Sequence, residues 1–203
     1  MNGLFDFSPD LRAASEAAML PGESVAWAGR PSPAHAFLST IAIWLFAIPW
    51  TAISLVFFTS AVAAVIGVAE TEGMEGAGGW LFLLFSLPFL AIGLLSFSAP
   101  FWAARDASAS GFVITDRRVM KISAHNSGAS AGRSIKALTA GALRGAEAKI
   151  GRSGRGVVKA LGPVGKDKDG DRITDEIVMA GIADAQGAER ALWRLIETHR
   201  NNR

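Results

Sequence analysis

Residues 36–69 read AFLSTIAIWLFAIPWTAISLVFFTSAVAAVIGVA, and residues 76–104 read GAGGWLFLLFSLPFLAIGLLSFSAPFWAA. The first is 34 residues without a charge and the second 29. A helix needs about 20 apolar residues to cross a hydrocarbon core of roughly 30 Å, so both runs exceed the requirement. The competing reading is two buried helices of a large soluble core. A chain of 203 residues leaves too little other apolar surface to wrap them. The expected spans are about 37–69 and 77–104, and the first is long enough to tilt.

Side chains inside and beside these runs fit a bilayer. Trp80 opens the second span and Trp102 closes it, at the depths where amphipathic rings prefer to sit. Pro49 and Pro88 fall inside the spans and read as kinks, because neighbouring helices can satisfy the freed carbonyls. Neither span holds an ionisable residue, which argues against a proton relay, an ion path or a transporter site.

Orientation follows from the flanks. The connection Glu70–Gly76 carries Glu70, Glu72 and Glu75 and no Lys or Arg, whereas Arg105 to Lys159 carries 11 Lys or Arg against 3 acids. The positive-inside rule puts both termini in the cytoplasm and the 70–76 loop in the periplasm. No signal peptide is expected, since the N-terminus lacks a basic region and the first apolar run is too long and too late.

The net charge of +2 conceals an asymmetry: residues 1–104 sum to −5 and residues 105–203 to +7. A basic module tethered beside a leaflet is attracted to anionic lipid. The tether and the lack of a reader motif argue against nucleic acid. With no cysteine, there is neither a disulfide framework nor thiol chemistry.

Outside the spans the periodicity changes. Ser8-Pro9 reads as an N-cap with proline at the first helical position, opening a helix over Asp10–Leu20 that Pro21-Gly22 stops. Leu4, Phe5 and Phe7 ahead of it either touch the membrane interface or pack on the module. Glu23–Gly29 alternates and reads as a strand. Gly111–Thr115 and Val119–Ser123 flank a polar Asp116-Arg117-Arg118 turn, a hairpin. Further strands are expected over Ser134–Leu138, Ala146–Ile150, Gly156–Leu161 and Ile173–Ala180. Short strands at this spacing predict an antiparallel barrel or sandwich. A closing helix follows Asp184 as N-cap, with Ala188, Ala191, Leu192, Leu195 and Ile196 on one face.

Leu20-Pro21-Gly22-Glu23, then Trp27 with Gly29-Arg30-Pro31, and after the apolar runs Phe112-Val113-Ile114-Thr115-Asp116-Arg117-Arg118-Val119 carry a family resemblance. In these residues and in its order of elements, the chain resembles bacterial membrane proteins with a pleckstrin-homology-like domain and two transmembrane helices. The resemblance implies a strongly bent antiparallel sheet capped by the C-terminal helix, with the Glu23–Gly29 strand joining it and the hairpin inserted after that strand. It brings no established activity. Phe112 stands where such proteins often show Tyr.

The fold class read here is therefore α+β: a two-helix transmembrane hairpin plus a small antiparallel pleckstrin-homology-like barrel or sandwich capped by a C-terminal helix. Its expected parts are an N-terminal cytoplasmic segment (1–35), the hairpin (36–104) and a cytoplasmic domain (105–203).

Candidate chemistry lies among the cations. Gly151–Gly156 (GRSGRG), flanked by Lys149 and Lys159, departs from the GxxxxGK[ST] phosphate loop, and no helix pattern follows it. A hairpin turn and a headgroup-facing basic loop stay open as readings. Arg117 and Arg118 either bind a ligand or hold the turn, one of them pairing with a nearby carboxylate while Asp116 caps it. Asp167–Asp171 (DKDGD) resembles a calcium loop, but the EF-hand register puts Arg172 where glycine belongs and Val178 where the bidentate glutamate belongs. His35, His125 and His199 lack metal-ligand spacing. No nucleophile, base and orienter combine; a bound cofactor, or a polar pocket containing Asp116 or Glu147, would favour catalysis.

The function expected from the sequence is a non-enzymatic inner-membrane binding module without cofactor or metal. Arg117, Arg118, Lys149, Arg152, Arg155 and Lys159 would engage anionic lipid headgroups or a protein partner. The alternative is an accessory or assembly subunit of a larger membrane complex, with Phe82, Phe85, Phe89 and Phe97 lying against partner helices or facing lipid.

Overall fold

Period-two apolar strands must bury one face, and long uncharged helices expose far more apolar surface than a small sheet covers. The chain separates accordingly. The computed structural model describes residues 4–68, 77–127, 130–166 and 172–201. It divides into one unit of Met1–Ala36 with Ala104–Arg203 and a second of Phe37–Ala103. The acidic loop 70–76 and the Asp167–Asp171 stretch lie outside the described residues.

Among the described residues there are five α-helices and two antiparallel sheets. In chain order, a 3₁₀ turn at Leu4–Asp6 precedes α1 (Pro9–Ala18), β1 (Val25–Gly29), α2 (Pro33–Ser39), α3 (Ile41–Val65) and α4 (Ala77–Ser108). There follow β2 (Ser110–Thr115), β3 (Arg118–Ser127), β4 (Ser130–Thr139), β5 (Gly145–Ile150), β6 (Gly156–Lys166), β7 (Arg172–Ile182) and α5 (Ala185–Asn201). The first sheet has the order β1-β2-β3-β4 and the second β5-β6-β7.

In the first unit, β1 pairs antiparallel with β2 across the whole apolar insertion, Trp27 opposite Ile114 and Gly29 opposite Phe112. Inward side chains of both sheets and the apolar stripe of α5 form one core that includes Ile114, Val119, Leu138, Val158, Ile177, Met179, Leu192 and Leu195. A second cluster lies on the outer face of the first sheet. There Phe7, Leu11 and Ala14 cover Val113, Met120 and Ile122, so Phe7 packs on the module and β2 is buried on both faces. Gly111 permits the approach, since a Cβ there would stand 2.9 Å from both Leu11 and Phe7 side-chain atoms.

Strand β7 ties the two sheets together. Near its start Asp175 pairs with Lys136 of β4 at 2.6 Å, and at its end Ile182 bridges Pro31 just after β1. It therefore crosses the first sheet from one edge strand to the other. Helix α5 packs on β5 and β1. Asp184 caps it as expected, Oδ1 accepting from the Gly187 amide at 2.8 Å while Oδ2 accepts from the Trp27 indole at 3.3 Å.

Several boundaries differ from expectation. Helix α1 stops at Ala18 rather than Leu20, because Met19 is already extended, and Ser8 makes no side-chain capping bond. Strand β1 starts at Val25 rather than Glu23, because the Glu23 carboxylate folds back onto the Leu20 amide at 2.7 Å. The first long apolar helix starts at Ile41, with residues 33–39 forming a separate short helix that ends at Thr40. Strands β3, β4, β6 and β7 run longer than their apolar alternation, since backbone pairing continues through polar and glycine residues.

In the second unit, α3 and α4 are both long and apolar enough to cross a membrane, and each runs through its internal prolines, Pro49 in one and Pro88 and Pro100 in the other. Trp44 stacks on Phe97 at 5.0 Å, Trp50 on Phe89 at 5.9 Å, and Phe57 meets Phe82 edge-on at 6.1 Å. The two indoles also donate across the pair, Trp44 to the Phe97 carbonyl at 2.7 Å and Trp50 to the Phe89 carbonyl at 3.1 Å. Phe82, Phe89 and Phe97 thus each touch a ring of α3, although Phe89 and Phe97 keep exposed surface, and the exposed Phe85 lines an apolar cleft of about 290 Å³ between the helices.

The helices come close at Gly93, where an added Cβ would stand 2.6 Å from Thr51 Oγ1 and 3.1 Å from Thr51 Cα. Gly93→Leu is expected to force the helices apart at a cost of about 1–3 kcal/mol, the usual range for overpacking. Thermal unfolding in detergent would show it as a lowered midpoint, with Leu94→Ala, exposed in the structure, as the neutral control.

Candidate functional site

The six cations singled out in the sequence occupy four different environments. Arg118, at the start of β3, is held by Glu23. Leu20-Pro21-Gly22-Glu23 turns with the Glu23 amide donating to the Leu20 carbonyl at 3.0 Å, and Gly22 supplies φ +75° at the third position. This is type II geometry, with proline and glycine where that turn requires them. The turn aims the carboxylate at the guanidinium: Nε donates to Glu23 Oε1 at 2.9 Å and Nη2 to Oε2 at 2.8 Å. Nη2 also donates to the Ala18 carbonyl at 2.7 Å, and the Thr115 hydroxyl lies 2.7 Å from Glu23 Oε1.

The Glu23 side chain is 0% exposed and that of Arg118 17%. The arginine hydrogen bonds lower the Glu23 carboxyl from 4.5 to about 2, against the opposing effect of burial; helped by the Leu20 amide and Thr115, they outweigh it. Arg118 is correspondingly raised by the same carboxylate. Beside it, the Ser24 amide donates to Asp116 Oδ1 and the Asp116 amide to the Ser24 carbonyl, each at 3.1 Å. The two quoted motifs, Pro21-Gly22-Glu23 and Thr115-Asp116-Arg117-Arg118, therefore lock onto each other.

Arg117 projects from the same turn but makes no ion pair among the described residues. With Asp116, Thr139, Gly141, Thr198 and His199 it lines an open polar cleft of about 460 Å³. His199 Nε2 is buried there without a hydrogen-bond partner among the described residues. Asp116 is thus in a polar cleft, but its carboxylate is occupied by the Ser24 amide.

Gly151–Gly156 forms the β5–β6 turn. The Gly151 amide donates to the Arg155 carbonyl at 2.8 Å, the Gly154 amide to the Gly151 carbonyl at 3.0 Å, and Gly154 takes φ +76°. Lys149, Arg152 and Arg155 stand exposed on this tip and make no ion pair among the described residues. Lys159 is different. It sits mid-strand on β6, opposite Glu147 in register, with Nζ 3.9 Å from Glu176.

The tip's neighbours come from distant parts of the chain. Gly156 pairs with Ile182, which bridges Pro31, and the Ser32 amide donates to the Gly181 carbonyl at 3.0 Å. The Ala185 amide, opening α5, donates to the Gly154 carbonyl at 3.2 Å. The basic tip therefore flanks Pro31–His35, the segment that leads out of the sheet unit into the apolar helices. Arg117 and Arg118 lie at the other end of β2, beyond Thr115, and the end of α5 reaches Arg117 there.

Among the described residues, no three His, Asp or Glu side chains gather as metal ligands would. No family model, curated protein or solved structure matches this chain.

Proposed function

We propose that this chain is an inner-membrane protein in which a two-span hairpin holds a pleckstrin-homology-like module at the cytoplasmic leaflet, where the module binds anionic headgroups or a protein partner and catalyses no reaction. The observation that carries the reading is the contrast between the two units. One has a closed apolar core, whereas α3 and α4 leave large side chains such as Leu45, Val56, Leu81, Leu84 and Leu95 exposed along their length. That much apolar surface is stable only in lipid or against a partner's helices. Four strands and three, bent across each other with α5 over the β1–β5 edge, support the pleckstrin-homology-like assignment.

Orientation rests on the cations that follow α4 and on the three glutamates of the 70–76 loop. Because the chain has no cysteine, single cysteines report it directly. A membrane-impermeant maleimide is expected to label Met74→Cys on intact cells and Ser153→Cys only after permeabilisation, with the protein released by detergent and not by alkaline carbonate. Labelling in the reverse order would overturn the orientation, and release by carbonate would overturn the anchor. A stoichiometric protein partner on mild solubilisation would favour the accessory-subunit alternative, with the module as its docking surface.

A further inference from the structure

The β5–β6 tip has a property that neither its composition nor its turn geometry explains. Between Ala148 and Val158 it carries Arg152, Arg155 and the adjoining Lys149 with no carboxylate, although the rest of the second sheet balances its charges. Glu147 faces Lys159, and Glu176 lies beside the same lysine. The nearest acid on the neighbouring segment, Asp184, already accepts from the Gly187 amide and the Trp27 indole. The three tip cations are thus left exposed and without an ion pair among the described residues.

Their position supplies the reason. Ile182 lies beside Gly156 on one side and Pro31 on the other, so Gly156, at the base of the tip, is two strand spacings, about 10 Å, from the segment entering the apolar run. The chain carries no charge beyond His35 until Glu70. If that run enters the bilayer, connectivity alone holds His35 close to the headgroup layer, and the tip with it.

Resting on the membrane-anchored reading, we infer that Lys149, Arg152 and Arg155 form a site for the phosphate groups of anionic lipids, and that this contact docks the module on the leaflet. Arg118 has no part in it, being committed to Glu23, and Arg117 faces the opposite end. Arginine suits the chemistry, since its planar fork grips phosphate oxygens in pairs. Each cation near an anionic surface contributes about a fivefold preference for the docked state.

The test uses the full chain in nanodiscs of phosphatidylcholine, with or without phosphatidylglycerol, carrying a fluorophore on Ser153→Cys and quenchers in the lipid. Phosphatidylglycerol is expected to increase quenching at Ser153, and salt to reverse it. Each of Lys149→Glu, Arg152→Glu and Arg155→Glu should lower the ratio of docked to undocked module at least about fivefold; all three are exposed, so circular dichroism should be unchanged. Equal quenching in both discs, or undiminished quenching in the triple variant, would overturn the site. Inorganic phosphate that shifts the Ser153 signal in phosphatidylcholine discs as strongly as phosphatidylglycerol does would also overturn it, pointing to a soluble ligand. A label on Thr139→Cys, at the far end, should stay unquenched; if it is quenched in place of Ser153, the module docks the other way. An Ile53→Cys label on α3 reads the anchor separately, and its failure to be quenched in any disc would remove the reading on which the site rests.

Discussion

Arg118→Ala is expected to destabilise the sheet unit by about 3–5 kcal/mol, the usual consequence of stripping the partner from a buried carboxylate. With Arg118 in place Glu23 has no exposed side-chain surface, and truncating the arginine takes two guanidinium bonds from its carboxylate. The same substitution frees the Ala18 carbonyl at the end of α1. Chemical unfolding in detergent, followed by circular dichroism, would measure the loss. Glu23→Gln with Arg118→Met should recover much of it, because removing both charges removes the desolvation cost as well. A loss below about 1 kcal/mol would mean that the pair behaves as a solvated surface pair.

The sign of the pH dependence follows from the same pair. The Glu23 carboxyl is lowered from 4.5 to about 2, so the folded state binds its proton less readily than the unfolded chain. The stabilisation is fully present above about pH 5 and disappears as pH falls towards 2, a difference of about 3 kcal/mol for a displacement of that size. Glu23→Gln should flatten this part of the acid-unfolding profile.

Trp27→Ala should cost a comparable 3–5 kcal/mol, roughly the range for truncating a buried aromatic, and lower the unfolding midpoint by roughly 10 °C or more. The indole is buried in the main core and links β1 to Asp184 at the start of α5. Trp27→Phe separates the two contributions: it keeps most of the ring volume and loses the hydrogen bond, at about 1 kcal/mol. Gly29→Ala tests the same pocket from the other side, since a Cβ there would collide with the indole ring. If Trp27→Phe costs as much as Trp27→Ala, the Asp184 bond dominates over packing.

Local and compositional signals were legible in the sequence by itself. Two uncharged runs specify two long apolar helices, because a charge in such a run would show at once. Apolar alternation at Gly111–Thr115 and Val119–Ser123 specifies a hairpin, and the stripe Ala188–Ile196 behind Asp184 specifies a capped helix. Each signal spans a few turns or a few strand residues. The break at Thr40, and the extension of β3, β4, β6 and β7 into polar segments, left no such pattern, since backbone pairing needs no apolar side chain.

Only the tertiary structure decided what lies beside what. Glu23 and Arg118 are 95 residues apart in the chain, and nothing local to either says that they meet; turn chemistry suggests an arginine paired with a carboxylate but does not say which arginine or which acid. Phe82, Phe89 and Phe97 meet Phe57, Trp50 and Trp44 across the helix pair, contacts that no single run of sequence announces.

The cations show the same division. As a run of sequence, Arg117 to Lys159 is one basic region, whereas the fold sends Arg118 into an ion pair, Arg117 to a polar cleft, Lys159 among carboxylates and the Lys149–Arg155 tip to the side of Pro31–His35. Strand order sets these neighbours, and strand order comes from burying both sheets and α5 around one core, a property of the whole chain that no single segment encodes.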